Sequence, residues 1–313
     1  MLIDYRAKLS PERRKYFDAV KEALRTIEPQ VETAFKNHLK LSKRWYPHEI
    51  LPWGKGQDYN DVPWEEAQVK LAPDVVLALE TNLLTEDNLP YYHAQIEQMM
   101  DRDSIWQRWN RRWTAEEGGH AAAMRDYLYL TRAMNPKNIE ENRLAMMEEG
   151  FDRDFGCPLE IFAYTAAQEL ATRISHLRTG QRCDEPIALE LCTRIATDEN
   201  FHFIFYRGVV TEVLAIAPEL MLPALMNQLY SFSMPGTGMK KFELRQAVIA
   251  NAGIYGAREH RDQVIKPLLK HWQIEKITGL KPETQKVQQR LLKLPKLLDR
   301  MVERQEKSVT KTD

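Results

Sequence analysis

Two copies of the pattern Glu-x-x-His, each with a lone glutamate upstream, constrain this chain more than anything else in it. The residues are Glu86, then Glu117 and His120, and again Glu169, then Glu199 and His202. On a helix, positions i and i+3 share a face, so each Glu and its His can reach one ion. A helical bundle holds a carboxylate-bridged pair of metal ions with one Glu from each of two helices and a Glu-x-x-His from each of the other two. Four carboxylates balance the charge of two divalent ions, which lowers the cost of burying the site. Oxygen ligands with a few imidazoles suit iron or manganese. Copper(I) and structural zinc prefer sulfur.

The ligand positions fall on apolar helical stripes. Val75, Val76, Leu79 and Leu83 lead to Glu86 at steps of three and four, with Pro73 and Asp74 as a helix start and Pro90 as a bend or stop. Trp106, Trp109, Trp113, Glu117, His120, Met124 and Tyr127 form a second stripe. Phe162, Thr165, Glu169, Thr172 and His176 form a third. Ala188, Cys192, Ile195, Glu199, His202 and Tyr206 form a fourth, with Pro186 near its first turn. An ionised Glu is rarely buried without a partner, so four in one register imply a shared site. The order repeats, which predicts two helical hairpins related by an approximate two-fold axis, with one ion near each Glu-x-x-His. Glu116 and Asp198 precede the two motifs. They are expected to accept the outer ring N–H of His202 and of His120 respectively, since metal-bound imidazoles usually have such a partner.

Gly is sparse and β-branched alternation rare, so the reading is all-α: a four-helix bundle core with additional flanking helices. Residues 11–41 read as helical and 43–64 as loop. Further helices are expected over 218–232, 242–255 and 257–272, and one over 283–307 interrupted at Pro295. The last half-dozen residues read as disordered. No linker divides the chain, so residues 1–313 are expected to form a single domain, with its core over about 65–275 and a basic extension over about 276–313.

The net charge is −1, which carries no nucleic-acid signal. From Lys266 onward there are 12 Lys and Arg against 6 Asp and Glu. Such a segment could dock an acidic partner or simply be a solvated helix. Cys157, Cys183 and Cys192 have no metal-type spacing, and there is no apolar run of membrane-spanning length and no secretory segment. These features predict a cytoplasmic location, or the plastid stroma as its equivalent.

The motifs carry a resemblance. Thr85-Glu86-Asp87-Asn88-Leu89-Pro90, Trp113-Thr114-Ala115-Glu116-Glu117-Gly118-Gly119-His120, Gln168-Glu169-Leu170-Ala171-Thr172-Arg173-Ile174-Ser175-His176 and Ile195-Ala196-Thr197-Asp198-Glu199-Asn200-Phe201-His202 resemble, in order, the four ligand segments of the soluble acyl-[acyl-carrier-protein] desaturases. These are ferritin-like di-iron carboxylate proteins. Ser233-Met234-Pro235 is similar to a segment downstream, and the likeness covers most of residues 45–240. It implies a ferritin-like bundle with a di-iron centre inside. It also implies an O2-dependent enzyme that desaturates an acyl chain held as a thioester on acyl carrier protein, with two electrons from ferredoxin. By this resemblance Glu86, Glu117, His120, Glu169, Glu199 and His202 hold two iron ions, with manganese an option at one position. Thr172 matches a threonine near the oxygen-binding side and would relay a proton. Trp53 resembles a tryptophan of an electron route that continues through Asp198 to His120. A homodimer is a further implication. Gly118 and Gly119 stand where the family has bulkier polar residues, Leu170 and Phe201 where it has basic ones, and Arg173 where it has an aromatic.

Oxidation of an unactivated methylene needs a metal–oxygen oxidant in a dry site. Position along a uniform chain must come from the depth of an apolar slot, since one methylene is worth only about 0.8 kcal/mol. Trp106, Trp109, Met124, Phe162 and Phe205 could line that slot, or be plain core. Other readings share the ligands: an R2-like oxidase, an N-oxygenase, ferritin-type iron storage, and a metal-binding paralogue without turnover.

Overall fold

A computed structural model describes residues 10–151, 153, 155–236 and 238–309, with side chains to residue 305. The tail expected to be disordered lies largely outside them, in residues 310–313. No strand occurs among the described residues. The helices are α1 (Pro11–Thr26), α2 (Glu28–Leu41), α3 (Pro47–Ile50), α4 (Pro73–Met99), α5 (Ile105–Leu130), α6 (Pro136–Glu149), α7 (Pro158–Arg182), α8 (Pro186–Ile216), α9 (Pro218–Tyr230), α10 (Phe242–Asn251), α11 (Ala257–Glu259), α12 (Lys266–His271) and α13 (Pro282–Val309). Many open on a proline, whose missing N–H is surplus at a first helical position. Ser104 caps α5 through the Gln107 N–H, and Glu185 caps α8 through the N–H groups of Ile187 and Ala188.

Helices α4, α5, α7 and α8 form the central bundle, packed as the hairpins α4–α5 and α7–α8. Helix α2 lies across α5 and α8, α6 and α10 lean on α4, and α9 carries α13 against α7. The interior has two apolar plugs. One contains Trp106, Trp109, Trp113, Phe162, Phe205 and Tyr206, and the other Leu79, Leu83, Met124, Tyr127, Cys192 and Ile195. The ligand stripes cross from one plug to the other, so their polar residues form a layer between them.

Three expectations about proline need correction. The stretch 11–41 is broken at Ile27, because Pro29 lacks an N–H and its ring crowds the carbonyl four residues back. Of the bend or stop expected at Pro90, the stop does not occur, and Pro295 does not interrupt α13. An interior proline costs ~3 kcal/mol. Tyr92, His93 and Ile96 are buried beyond Pro90, and Leu298 and Val302 beyond Pro295, and that packing outweighs the cost. The expected helix over 257–272 passes through a π-helical turn, His260–Ile265. None of the described helices is long and apolar enough to cross a membrane.

Candidate metal centre

All six candidate ligands lie in the layer between the plugs, none more than 3 % exposed. Each helix brings its residues by the stripe read from the sequence. Ligating atoms of Glu86, Glu117, His120 and Glu199 lie within 4.8 Å of one another, and so do those of Glu117, Glu169, Glu199 and His202. Glu117 and Glu199 belong to both groups and would bridge; each histidine and each lone glutamate belongs to one.

The hydrogen bonds show how the layer is oriented. His120 turns Nδ1 inward, 2.9 Å from Glu117 Oε2, and Nε2 outward, 3.3 Å from Asp198 Oδ2. His202 does the same, with Nδ1 3.0 Å from Glu117 Oε1 and Nε2 3.0 Å from Glu116 Oε2. The outer carboxylates are thus where the acidic dyads placed them. Burial opposes charge on both rings, but the negative charge of Glu117 outweighs it and holds their pKa well above the ordinary histidine value. Glu117 experiences the converse: burial raises its pKa, and the two imidazoles pull it well below the usual carboxylate range. Glu86 and Glu169 are pushed well above that range, by burial first and then by neighbouring carboxylates, Glu117 and Glu199 for Glu86 and Glu199 for Glu169.

The donor set fits a pair of hard cations. Glu86 Oε2 and Glu169 Oε1 are buried without a hydrogen-bond partner, and Glu169 Oε2 and Glu199 Oε1 have only a long approach, 3.3 and 3.4 Å, from a histidine Nδ1. Unsatisfied acceptors at this density are costly unless a cation takes their lone pairs. The Thr172 hydroxyl reaches the layer, 2.9 Å from Glu199 Oε2 and 3.1 Å from the carbonyls of Gln168 and Glu169.

The structure brings a different tryptophan to Asp198 than the one expected. Trp53 is 47 % exposed on a short turn, and none of the hydrogen bonds of Asp198 goes to it. Trp45 instead donates its indole N–H to Asp198 Oδ2 at 2.6 Å and stacks on His120, with ring centroids 6.3 Å apart. The loop that holds both tryptophans has no period, so nothing in it fixed which one faced inward. The outer histidine network was also missed. Glu116 accepts from His38 at 3.0 Å, Ser42 at 3.0 Å and Arg112 as well as His202. Burial opposes its charge, but the bonds from His202 and His38 prevail and hold it well below the usual range. His176 Nε2 lies 3.1 Å from Glu86 Oε1. Its place on the third stripe was a signal; His38, from a distant helix, gave none. The large residues that could have lined a slot are packed as core. Trp109 stacks on Phe205 at 3.5 Å between centroids, and Trp106 on Phe162 at 5.1 Å.

Comparison with known proteins agrees with this architecture. The chain matches the family model described as fatty acid desaturase over residues 19–313. It is 40 % identical over 272 residues to DesA1 of Mycobacterium tuberculosis, named as an acyl-[acyl-carrier-protein] desaturase; the match covers 82 % of this chain and 80 % of that protein. It is 30 % identical over 304 residues to the chloroplastic stearoyl-[acyl-carrier-protein] 9-desaturase of Spinacia oleracea, covering 90 % of this chain and 76 % of that one. The X-ray structure of DesA2 from M. tuberculosis H37Rv superposes with a TM-score of 0.68 at 25 % identity, over 83 % of this chain and 97 % of that chain. The chain belongs to the acyl-[acyl-carrier-protein] desaturase family, and it is an oxidoreductase of that family.

Proposed function

We propose that the protein is an O2-dependent di-iron desaturase. It introduces a double bond into an acyl chain carried as a thioester on acyl carrier protein, using two electrons from a ferredoxin-like donor. The reading rests on one observation above all: four carboxylates and two imidazoles from four helices meet in one buried layer. Glu86, Glu117, His120 and Glu199 would hold one ion, and Glu117, Glu169, Glu199 and His202 the other. Bound there, the iron pair supplies the oxidising power that methylene C–H bonds require and side chains lack.

The chain's own residues do the rest. Asp198 and Glu116 fix the tautomer and plane of the two imidazoles. The apolar plugs above and below shield the layer on those two sides and strengthen the charge interactions inside. Thr172 Oγ1 holds a proton against Glu199 Oε2 and can pass it into the layer. Trp45, Asp198 and His120 form an aromatic and hydrogen-bonded line from the loop after α2 to the layer, which suits electron entry.

The test is turnover. With ferredoxin, its reductase, NADPH and O2, the iron-loaded protein should convert stearoyl- or palmitoyl-carrier protein to an alkene, with the double-bond position read by mass spectrometry. Hydroxylated product, or oxidation of an amine, would favour the rival oxygenases. The loaded chain should carry about two ions, and Glu169→Ala should lose at least one.

A further inference from the structure

A solvent-open cleft of about 150 Å³ runs between α4 and α5 down to Glu86 and Glu117. A cavity of this size takes up roughly one benzene ring, far less than an acyl chain. Three features of its walls have no role in the reading above. Gly118 lies inside a helix, where glycine costs about 1 kcal/mol relative to alanine. A Cβ built on it meets nothing within 4 Å, so no crowding explains the missing side chain. Pro90 has no N–H, which leaves the main-chain carbonyl of Glu86 without its helical donor on the cleft side.

His93 is the third. It is 3 % exposed, stacks on Trp113 at 3.9 Å, and its Nδ1 is hydrogen-bonded to the Thr114 hydroxyl. That hydroxyl already donates its one proton to the Asn110 carbonyl at 2.7 Å. It can therefore only accept from His93, which puts the ring proton on Nδ1. Nε2 is left a bare lone pair, buried and without a partner, on a side chain that lines the cleft. The pseudo-two-fold repeat sharpens the point. His93 stands seven residues after Glu86, as His176 stands seven after Glu169. His176 is committed to Glu86 and Asn82; its counterpart is not.

We propose that this cleft is the passage by which divalent metal ions enter and leave the carboxylate layer. Gly118 keeps it open, and the His93 ring, which lines it, offers a nitrogen donor on the way to the layer. The inference rests on the dimetal reading of the layer. It adds a route, and a route acts on rates.

The experiment follows Co²⁺ uptake by the metal-free full-length chain through its visible ligand-field bands, and Fe²⁺ removal by bipyridine. Gly118→Leu should slow both by about tenfold or more, which is ~1.4 kcal/mol on a barrier, with final stoichiometry and equilibrium affinity unchanged. His93→Gln should slow uptake. Gly208→Leu, another helical glycine with open surroundings, is the control and should match wild type. Should Gly118→Leu fail to fold, Pro90→Ala restores the donor to the Glu86 carbonyl, stiffens the same wall, and should slow both directions. Wild-type rates in the cleft variants would overturn the passage. So would slowed uptake matched by an equal loss of affinity, which would mean damaged ligation. A wild-type chain that takes up no Co²⁺ would instead bring down the dimetal reading beneath it.

Discussion

Loading the layer with metal should release protons, and the hydrogen bonds set an upper bound on their number. His120 and His202 each have carboxylate oxygens against both ring nitrogens, a setting that keeps both N–H groups in place. Glu86 and Glu169 have their carboxyl pKa raised by burial and by neighbouring carboxylates. In the metal-free fold these four groups are shifted toward their protonated forms, and Glu117 toward its ionised form. Two divalent ions need those four donors bare, so protons should leave as both ions bind, up to about four. With all four released, the buried charge of the layer would be the same with and without metal.

The consequences are measurable. Affinity for each ion should rise with pH, by up to about tenfold (~1.4 kcal/mol) per pH unit for each proton that its binding releases. Calorimetric Fe²⁺ titration under argon, in two buffers of different ionisation enthalpy, reads the proton count directly. Glu169→Gln, which has no proton to lose there, should release about one fewer. Stability gives the same sign. Groups whose folded pKa is raised contribute at low pH and lose that contribution as pH rises through the folded values. The metal-free Tm should therefore fall as pH rises above the ordinary histidine value of about 6.5, while the loaded Tm rises. Glu117 works oppositely: its contribution is present above the ordinary Glu value and is lost as pH falls toward its depressed one. Release of one proton or none, or a metal-free chain that gains stability over that interval, would refute the protonation pattern argued here.

Trp45→Phe should leave metal content intact but slow reduction of the centre by its donor in stopped-flow, and Trp53→Phe should change neither; the reverse result would restore the exposed tryptophan to the route. Thr172→Val should keep two ions and cut alkene formation by about 10²-fold, a typical contribution of a placed proton donor, with O2 consumption exceeding product. His176→Leu removes the partner of Glu86 Oε1 and should weaken metal binding about 10–100-fold by competition with a chelator, while a neighbouring core change such as Ile174→Val should not. Trp109→Ala should cost about 3–5 kcal/mol in urea unfolding, because the ring is 2 % exposed and stacks on Phe205.

What the sequence disclosed, and what it withheld, divide along one physical line. Helical period states which face a residue occupies, so a carboxylate at the step of Leu83 or Trp113 had to be buried, and six such positions in two matching sets left one arrangement. The acidic dyads were readable for the same reason: a residue next to an inward ligand sits at its flank, where the outer imidazole nitrogen emerges. Period says nothing about the partner on another element. The carboxylate of Glu116 is met by His38 from α2, across 78 positions of chain, and Asp198 by Trp45, across 153. Loop residues carry no period at all, so Trp53 and Trp45 could not be told apart until the fold set their distances. The prolines misled for a third reason. Pro90 and Pro295 have a local cost near 3 kcal/mol, and a rule that sees only that cost ends the helix. Each is followed by apolar residues whose burial returns more than it takes, so the helix continues. Pro90 stands at the wall of the cleft that reaches Glu86 and Glu117. A helix optimised for stability would have placed neither this proline nor Gly118 there.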